Sequence, residues 1–147
     1  MVLSIGGAVG VNARYWLGAW VDGRFGPRFP WSTFSINVSG SFAIGIVSVI
    51  LAHRGPQPLA RLFFVTGFLG GYTTFSAFSL ESHALWGRGD RGLAVVNALG
   101  SVAAGLLAVT VGVALGRAIV GPSADLDRAA RVESANPADR PSGRGGP

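Results

Sequence analysis

Long apolar runs, separated by short stretches that hold glycine, proline and arginine, set the pattern of this chain. A helix that crosses about 30 Å of hydrocarbon rises about 1.5 Å per residue, so it needs about 20 apolar residues. Four runs reach that length, at residues 3–21, 31–52, 59–86 and 92–120. The pattern therefore predicts an all-α membrane protein with four transmembrane helices in one domain, residues 1–120.

The composition agrees with a protein embedded in lipid. Of the 147 residues, 49% are hydrophobic and only 13% are charged, and the mean hydropathy is +0.45. Soluble domains carry about 25% charged residues. There is no cysteine, and the two histidines, His53 and His83, lie far apart in the sequence. Disulfides and thiolate metal sites are therefore excluded, and a metal cage built from side chains is not expected.

The two ends of the chain are read from their composition. From Gly121 onward, Pro, Ser, Ala and charged residues replace the apolar pattern. Such a composition predicts a disordered tail over residues 121–147, interpreted as a dispensable extension rather than a regulatory arm. The N-terminus has no basic leader before its apolar run, so we interpret that run as a retained first helix.

The basic residues, all of them arginine, bear on orientation in the membrane. The connections on one side carry Arg24, Arg28, Arg88 and Arg91, and those on the other carry Arg54, Arg61, Arg117, Arg128 and Arg131. Orientation follows the imbalance of basic residues, which here is close to even. The pattern favours insertion in both orientations and an antiparallel dimer; the alternative, that the tail arginines fix one topology, stays open. No basic stripe of the kind that binds nucleic acid is present.

The third apolar run contains a segment with low helix propensity. Residues 70–76, Gly-Gly-Tyr-Thr-Thr-Phe-Ser, combine poor helix formers with hydroxyls that compete for backbone hydrogen bonds, so a break near mid-membrane is predicted. Unwound backbone at this depth is tolerated where it lines a cavity or meets an ion such as Na+. Beyond the break, Phe75 and Phe78 stand three residues apart; their ring edges are electropositive and can line a path for a small anion, or the rings can simply pack.

Polar side chains form matching stripes in the second and fourth runs. Thr33, Asn37 and Ser41 follow one another at four-residue spacing on one helix face, and Asn97 and Ser101 repeat that spacing. Amides and hydroxyls so placed can donate hydrogen bonds to a desolvated anion, or they can join neighbouring helices. In the first run the single charge, Arg14, either neutralises an anion vestibule or reaches the headgroups; both interpretations stay open.

Three segments together resemble the bacterial fluoride channels, the Fluc or CrcB family: GGAVGVNARY near the start, TFSINVSGSF in the second run and TGFLGGYTTFSAFSLE in the third. The resemblance covers residues 1 to about 120. It implies a multi-pass protein of the bacterial inner membrane, an antiparallel homodimer with two pores, and passive export of fluoride that reduces its toxicity. It also implies a structural Na+ at the dimer centre. A heterodimer with a second homologous chain stays open.

The resemblance assigns roles position by position. It implies that the backbone carbonyls of Gly70 and Thr73 bind Na+, that Asn37, Phe75, Phe78 and Ser101 line the fluoride pore, and that Arg14 lies in the vestibule. Thr33 and Ser76, which stand beside Asn37 and Phe75 in the pattern, complete the predicted pore lining. Family members often carry tyrosine where this chain has Asn97. Tyr72 replaces a usually aliphatic or phenylalanine residue, and it is expected to face lipid or a neighbouring helix.

Other classes of protein fit the sequence less well. A small dual-topology cation exporter needs a carboxylate inside a span, and Glu81, toward the end of the third run, is the one candidate. A membrane scaffold would leave the broken third run without a purpose. No set of acid, base and nucleophile can be assembled, so an enzyme is not expected. The residues alone predict a broken span with an ion site; the choice of fluoride comes from the resemblance.

Overall fold

The structure, a computed structural model, describes residues 1–121, and these residues form helices and no strand. Helix α1 is Val2–Phe25, α2 is Trp31–His53, α3 covers residues 58–72, α4 is Phe75–Gly87 and α5 is Arg91–Val120. The predicted all-α class is confirmed. Each helical run begins and ends within four residues of a predicted span. The predicted tail lies outside the described residues.

The local sequence explains where the helices begin and end. Gly26 closes α1 with a positive φ of 73°, which glycine adopts without strain. Pro58 begins α3, where its missing N–H costs nothing. Helix α3 is α-helical over Pro58–Arg61, π-helical over Leu62–Leu69 and α-helical again over Gly70–Tyr72. Residues 58–72 therefore form one continuous helix that ends just before Thr73.

Two of the helices are long and apolar enough to cross a membrane by length and composition. These are Trp31–His53, with a mean hydropathy of 1.9, and Arg91–Val120, with 2.1. Large apolar side chains also cover the outside of the chain, among them Trp16 and Leu107, each 69% exposed. An apolar surface of this extent is unfavourable in water and suits contact with lipid or with another protein.

Glycines bring the helices into backbone contact in two pairs. Between α2 and α5, a Cβ on Gly45 would lie 2.6 Å from the Val109 carbonyl oxygen. Between α1 and α3, a Cβ on Gly6 would lie 2.6 Å from the Phe63 carbonyl oxygen. Small residues allow this approach, which membrane helices use widely. Helix α4 packs against α5, and the two pairs meet where α2 contacts α1 and α3.

All four tryptophans lie toward one end of the bundle, which we call the tryptophan end. Trp16 and Trp20 lie in the second half of α1, Trp31 begins α2, and Trp86 lies in the last turn of α4. Hydrogen bonds from α4 to the early parts of α2 and α5 place the end of α4 at this same end. The opposite end of the described bundle carries no tryptophan.

Candidate functional site

The helical backbone is interrupted between α3 and α4 at two threonines. Thr73 (φ −83°, ψ 158°) and Thr74 (φ −152°, ψ 114°) are both extended. Their hydroxyls replace part of the lost backbone pairing, because Thr73 Oγ1 donates to the Leu69 carbonyl at 2.9 Å and Thr74 Oγ1 accepts from the Ala77 N–H at 3.2 Å. Thr74 thus acts as the N-cap of α4, a role that suits threonine.

Asn37 on α2 pairs with the backbone of Thr74 through both ends of its amide. Its Nδ2 donates to the Thr74 carbonyl at 3.0 Å, and its Oδ1 accepts from the Thr74 N–H at 2.9 Å. The side chain therefore takes the place of a neighbouring peptide group. It satisfies the Thr74 N–H, which the extended conformation frees, and adds a second bond to the Thr74 carbonyl, which as the N-cap carbonyl also accepts the first bond of α4. One N–H of the Asn37 amide is left for another acceptor.

This pairing releases the carbonyl of Gly70. In an uninterrupted helix the Thr74 N–H would donate to it, whereas here that N–H donates to Asn37. The Thr73 carbonyl is released in the same way, because the Ala77 N–H donates to the Thr74 hydroxyl. Both oxygens are hard ligands at the C-terminal end of α3, where the helix dipole is negative. They fit a cation such as Na+, which broken membrane helices commonly bind in this manner.

A cavity of about 500 Å³ lies beside the break, between α2, α3, α4 and α5. Six of the nine predicted site residues line it: Asn37, Gly70, Thr73, Phe75, Phe78 and Ser101. The rest of its wall is mostly aliphatic. The cavity opens at the surface of the protomer, because several lining residues are exposed, above all Phe75 at 77%. The Phe75 and Phe78 rings stand 5.4 Å apart at 44°.

The other three predicted residues lie elsewhere. Thr33 is buried on α2, and its Oγ1 donates to Glu81 Oε1 at 2.7 Å. The second oxygen of that carboxylate, Oε2, is buried with no hydrogen-bond partner among the described residues. Ser76 is exposed, with its Oγ 3.2 Å from Thr74 Oγ1. Arg14 is half-buried on α1, away from the cavity wall.

A second polar group of side chains lies behind the cavity. Ser101 Oγ donates to Asn97 Oδ1 at 3.3 Å, and Asn97 Nδ2 donates to Ser82 Oγ at 2.9 Å. Ser82 in turn donates to the Phe78 carbonyl at 2.8 Å. Asn97 is only 1% exposed. The chain of hydrogen bonds therefore runs from the cavity wall into the protein and back to α4.

Several of these contacts could not be read from the sequence. Glu81 meets Thr33, and Ser82 meets Asn97, because α4 packs on α2 and α5, and the separations along the chain carry no signal. Tyr72 contacts a neighbouring helix, with its hydroxyl 2.8 Å from Ser39 Oγ on α2 and its ring stacked 5.9 Å from the ring of Phe68. The one signal in the sequence was the residue type, because a buried tyrosine hydroxyl usually finds a hydrogen-bond partner.

Long apolar helices, and a mostly aliphatic cavity that holds a few polar groups beside a helix break, fit a membrane protein of the transport class. The family model described as "CrcB-like protein, Camphor Resistance (CrcB)" matches residues 1–113. This chain belongs to the CrcB family, as its sequence motifs predicted.

Relatives in three bacteria carry the name fluoride-specific ion channel FluC. The protein of Rhizobium meliloti is 46% identical over 121 residues, which are 82% of this chain and 97% of that protein. The protein of Paracoccus denitrificans is 46% identical over 117 residues, covering 80% and 93%. The protein of Thermus thermophilus is 46% identical over 121 residues, covering 82% and 95%. These are names of ion channels, which agrees with the prediction that the chain is not an enzyme.

Proposed function

We propose that this protein is a fluoride-selective channel through which fluoride leaves the bacterial cytoplasm passively. The relatives' names support the choice of fluoride. The observation that carries the proposal from this chain's own residues is the cavity beside the helix break, which gathers Asn37, Phe75, Phe78 and Ser101 around one space. Passive flow needs no titrating carboxylate in the path, and none lines this cavity.

The cavity has the chemistry that a small anion needs in order to pass without being trapped. Phenylalanine ring edges are electropositive, and Phe75 and Phe78 present two such rings side by side. Asn37 retains one amide N–H beyond its bonds to Thr74. No fixed positive charge lines the wall, so binding is weak enough to allow release. In this proposal Thr33 and Ser76 extend the path beyond the cavity, and Arg14 attracts the anion from a vestibule.

We also propose that the chain spans the inner membrane four times, with α3 and α4 forming one broken span. Helix α1 has 24 residues, which correspond to about 36 Å of helix. Residues 58–87 connect the end of α2 to the start of α5, so with their break they run the length of the bundle once. The exposed apolar side chains on all these helices support contact with lipid over the whole bundle.

The active unit in this proposal is an antiparallel homodimer. Aromatic belts are usual at both membrane surfaces, yet one copy of the bundle has tryptophan at one end only. Two copies inserted in opposite directions would supply a belt to each surface. A second copy would also close the cavity, whose exposed wall would otherwise face lipid. The near-even arginine count on the two sides permits such insertion.

The structural cation of this proposal is Na+, bound by the carbonyl oxygens of Gly70 and Thr73. Its chemistry there is to neutralise the negative ends of the two broken helices. The chain's own residues prepare the site, because Asn37 and the Thr74 hydroxyl take the N–H groups that would otherwise occupy those oxygens. Within residues 1–121, no three His, Cys, Asp or Glu side chains converge as metal ligands, so backbone oxygens are the available donors.

Fluoride efflux from liposomes tests the proposal. Purified protein is reconstituted into vesicles loaded with potassium fluoride, valinomycin is added to carry the balancing K+, and external fluoride is followed with a fluoride electrode. We expect rapid efflux of fluoride, and no efflux of chloride from matched vesicles loaded with potassium chloride. Protein-free vesicles give the background leak. Fluoride efflux no faster than that background would refute the proposed function.

A further inference from the structure

The proton of the Ser101 hydroxyl goes to a side chain of its own helix rather than to the helix backbone. The usual arrangement in this chain is donation to the carbonyl four residues earlier, which is seen at Ser39, Ser41, Ser79, Ser82 and Thr110. Ser101 instead donates to the side chain of Asn97, with 3.3 Å between Oγ and Oδ1. Asn97 therefore holds the Ser101 hydroxyl away from its own helix backbone.

Asn97 itself does not reach the cavity. It is 1% exposed and absent from the cavity wall, whereas Ser101 lines that wall. Its second hydrogen bond, from Nδ2 to Ser82 Oγ at 2.9 Å, fixes the amide against α4. Asn97 therefore touches the side chain of a cavity-lining residue at Ser101, whereas through Ser82 it reaches only the backbone carbonyl of Phe78.

The direction of this bond decides what Ser101 presents to an ion. A serine hydroxyl has one proton, and while that proton is donated to Asn97 the oxygen offers only lone pairs to the cavity, which repel an anion. A half-turn of the Asn97 amide would exchange its two ends. Nδ2 would then donate to Ser101 Oγ, and the Ser101 proton would be released toward the cavity. Oδ1 would accept from Ser82, whose hydroxyl would turn away from the Phe78 carbonyl; that carbonyl keeps the backbone N–H four residues later as its helix partner.

We propose that Asn97 is a positioning residue that turns Ser101 from a hydrogen-bond acceptor into a donor when an anion enters the cavity. Both arrangements keep every side chain of the Ser101–Asn97–Ser82 chain hydrogen-bonded, so the exchange leaves no buried polar group without a partner. The inference rests on the proposed function, because it concerns how the same pathway presents a donor to fluoride.

The test compares Asn97→Leu, Ser101→Ala and the double variant in the liposome efflux assay. Leucine is close to asparagine in size but can neither accept from Ser101 nor donate to it. With leucine at this position the Ser101 hydroxyl should donate to the backbone carbonyl four residues earlier, as the five hydroxyls named above do. We expect each single variant to lower fluoride efflux about tenfold, the effect of losing one hydrogen bond to a charged group.

The double variant separates a positioning role from a structural one. If Asn97 acts through Ser101, Asn97→Leu adds no further loss in the Ser101→Ala background. Thr110→Ala, which removes a hydroxyl on the same helix that is bonded only to its own backbone, is the matched control and should match the unmodified protein. Asn97→Ala is measured in parallel, and it replaces Asn97→Leu in the comparison if the leucine variant does not yield monodisperse protein.

Two results overturn the inference and leave the proposed function intact. One is unchanged efflux in Asn97→Leu or Asn97→Ala while the unmodified protein conducts. The other is a loss of fluoride efflux of about a hundredfold in the double variant, the product of the two tenfold single losses. Free-energy effects of independent sites add, so this result would show that Asn97 does not act through Ser101. An unmodified protein that passes no fluoride is a different result, because it refutes the proposed function itself.

Discussion

Replacing Asn37 with leucine tests whether its amide holds the helix break. The substitution keeps the size of the side chain and removes both hydrogen bonds to Thr74, which measure 3.0 and 2.9 Å. Leaving the Thr74 N–H without a partner costs about 1–3 kcal/mol, and losing the extra bond to the Thr74 carbonyl, which keeps its helix partner, costs about 0.5–1.5 kcal/mol. The two losses give about 1.5–4.5 kcal/mol, and because Asn37 is only half-buried we expect the lower half of that range, about 1.5–3 kcal/mol.

The assay is thermal unfolding in detergent, followed by the fluorescence of the four tryptophans. For a chain of this size, 1 kcal/mol corresponds to roughly 4 °C in Tm, so Asn37→Leu should lower Tm by roughly 6–12 °C. Asn37→Asp keeps the acceptor for the Thr74 N–H but loses the donor to the carbonyl, so the Asp variant should retain more of the stability than the leucine variant.

Ser48→Ala is the control for Asn37, because Ser48 is exposed on the same helix. Surface changes of this kind usually shift stability by less than about 0.5 kcal/mol. If Asn37→Leu lowered Tm no more than Ser48→Ala does, the amide would not be holding the break. A loss of fluoride efflux at unchanged Tm would then assign Asn37 to the pore alone.

Three further predictions concern the cavity and the break. Phe75→Ile and Phe78→Ile should each reduce fluoride efflux while size-exclusion chromatography still gives the dimer, and unchanged efflux in both would remove the rings from the pathway. Gly40→Ala should lower Tm, because its new Cβ would collide with Cγ2 of Thr73. Overpacking of this kind costs about 1–3 kcal/mol. A Tm equal to that of the unmodified protein would show that the backbone at the break can shift to make room. Exchange of Na+ for N-methylglucamine should lower Tm reversibly, because the Gly70 and Thr73 carbonyls would lose their cation; a Tm independent of Na+ would contradict the proposed cation site.

The helices were predictable because their signals are local. Runs of about 20 apolar residues and the Gly and Pro between them fixed each end to within four residues, as the DGRFGPRFP segment between α1 and α2 illustrates. The weak segment at residues 70–76 was likewise visible from residue type, since glycine and threonine disfavour helix. The π-helical stretch Leu62–Leu69 had no such signal, because its sequence is simply apolar.

The side-chain partners at the site were not predictable, because they depend on how separate helices pack. Asn37 and Thr74 are 37 residues apart, and Thr33 and Glu81 are 48 apart. The stripe of Thr33 and Asn37 on one helix face suggested one shared role. The structure instead directs Thr33 to a carboxylate on α4 and Asn37 to the break. The spacing on α2 identified the face correctly but could not tell which neighbour each residue meets.

The pairing of Asn37 with Thr74 has a consequence for how the protein assembles. Both hydrogen bonds form within a single chain, so the interruption between α3 and α4 is completed when α2 packs against residues 70–76. A protomer would thus carry its opened carbonyls and its cavity wall ready-made before it meets another copy. Assembly would then join two preformed surfaces, and the pathway would depend on correct folding of each chain rather than on a gate that opens afterwards.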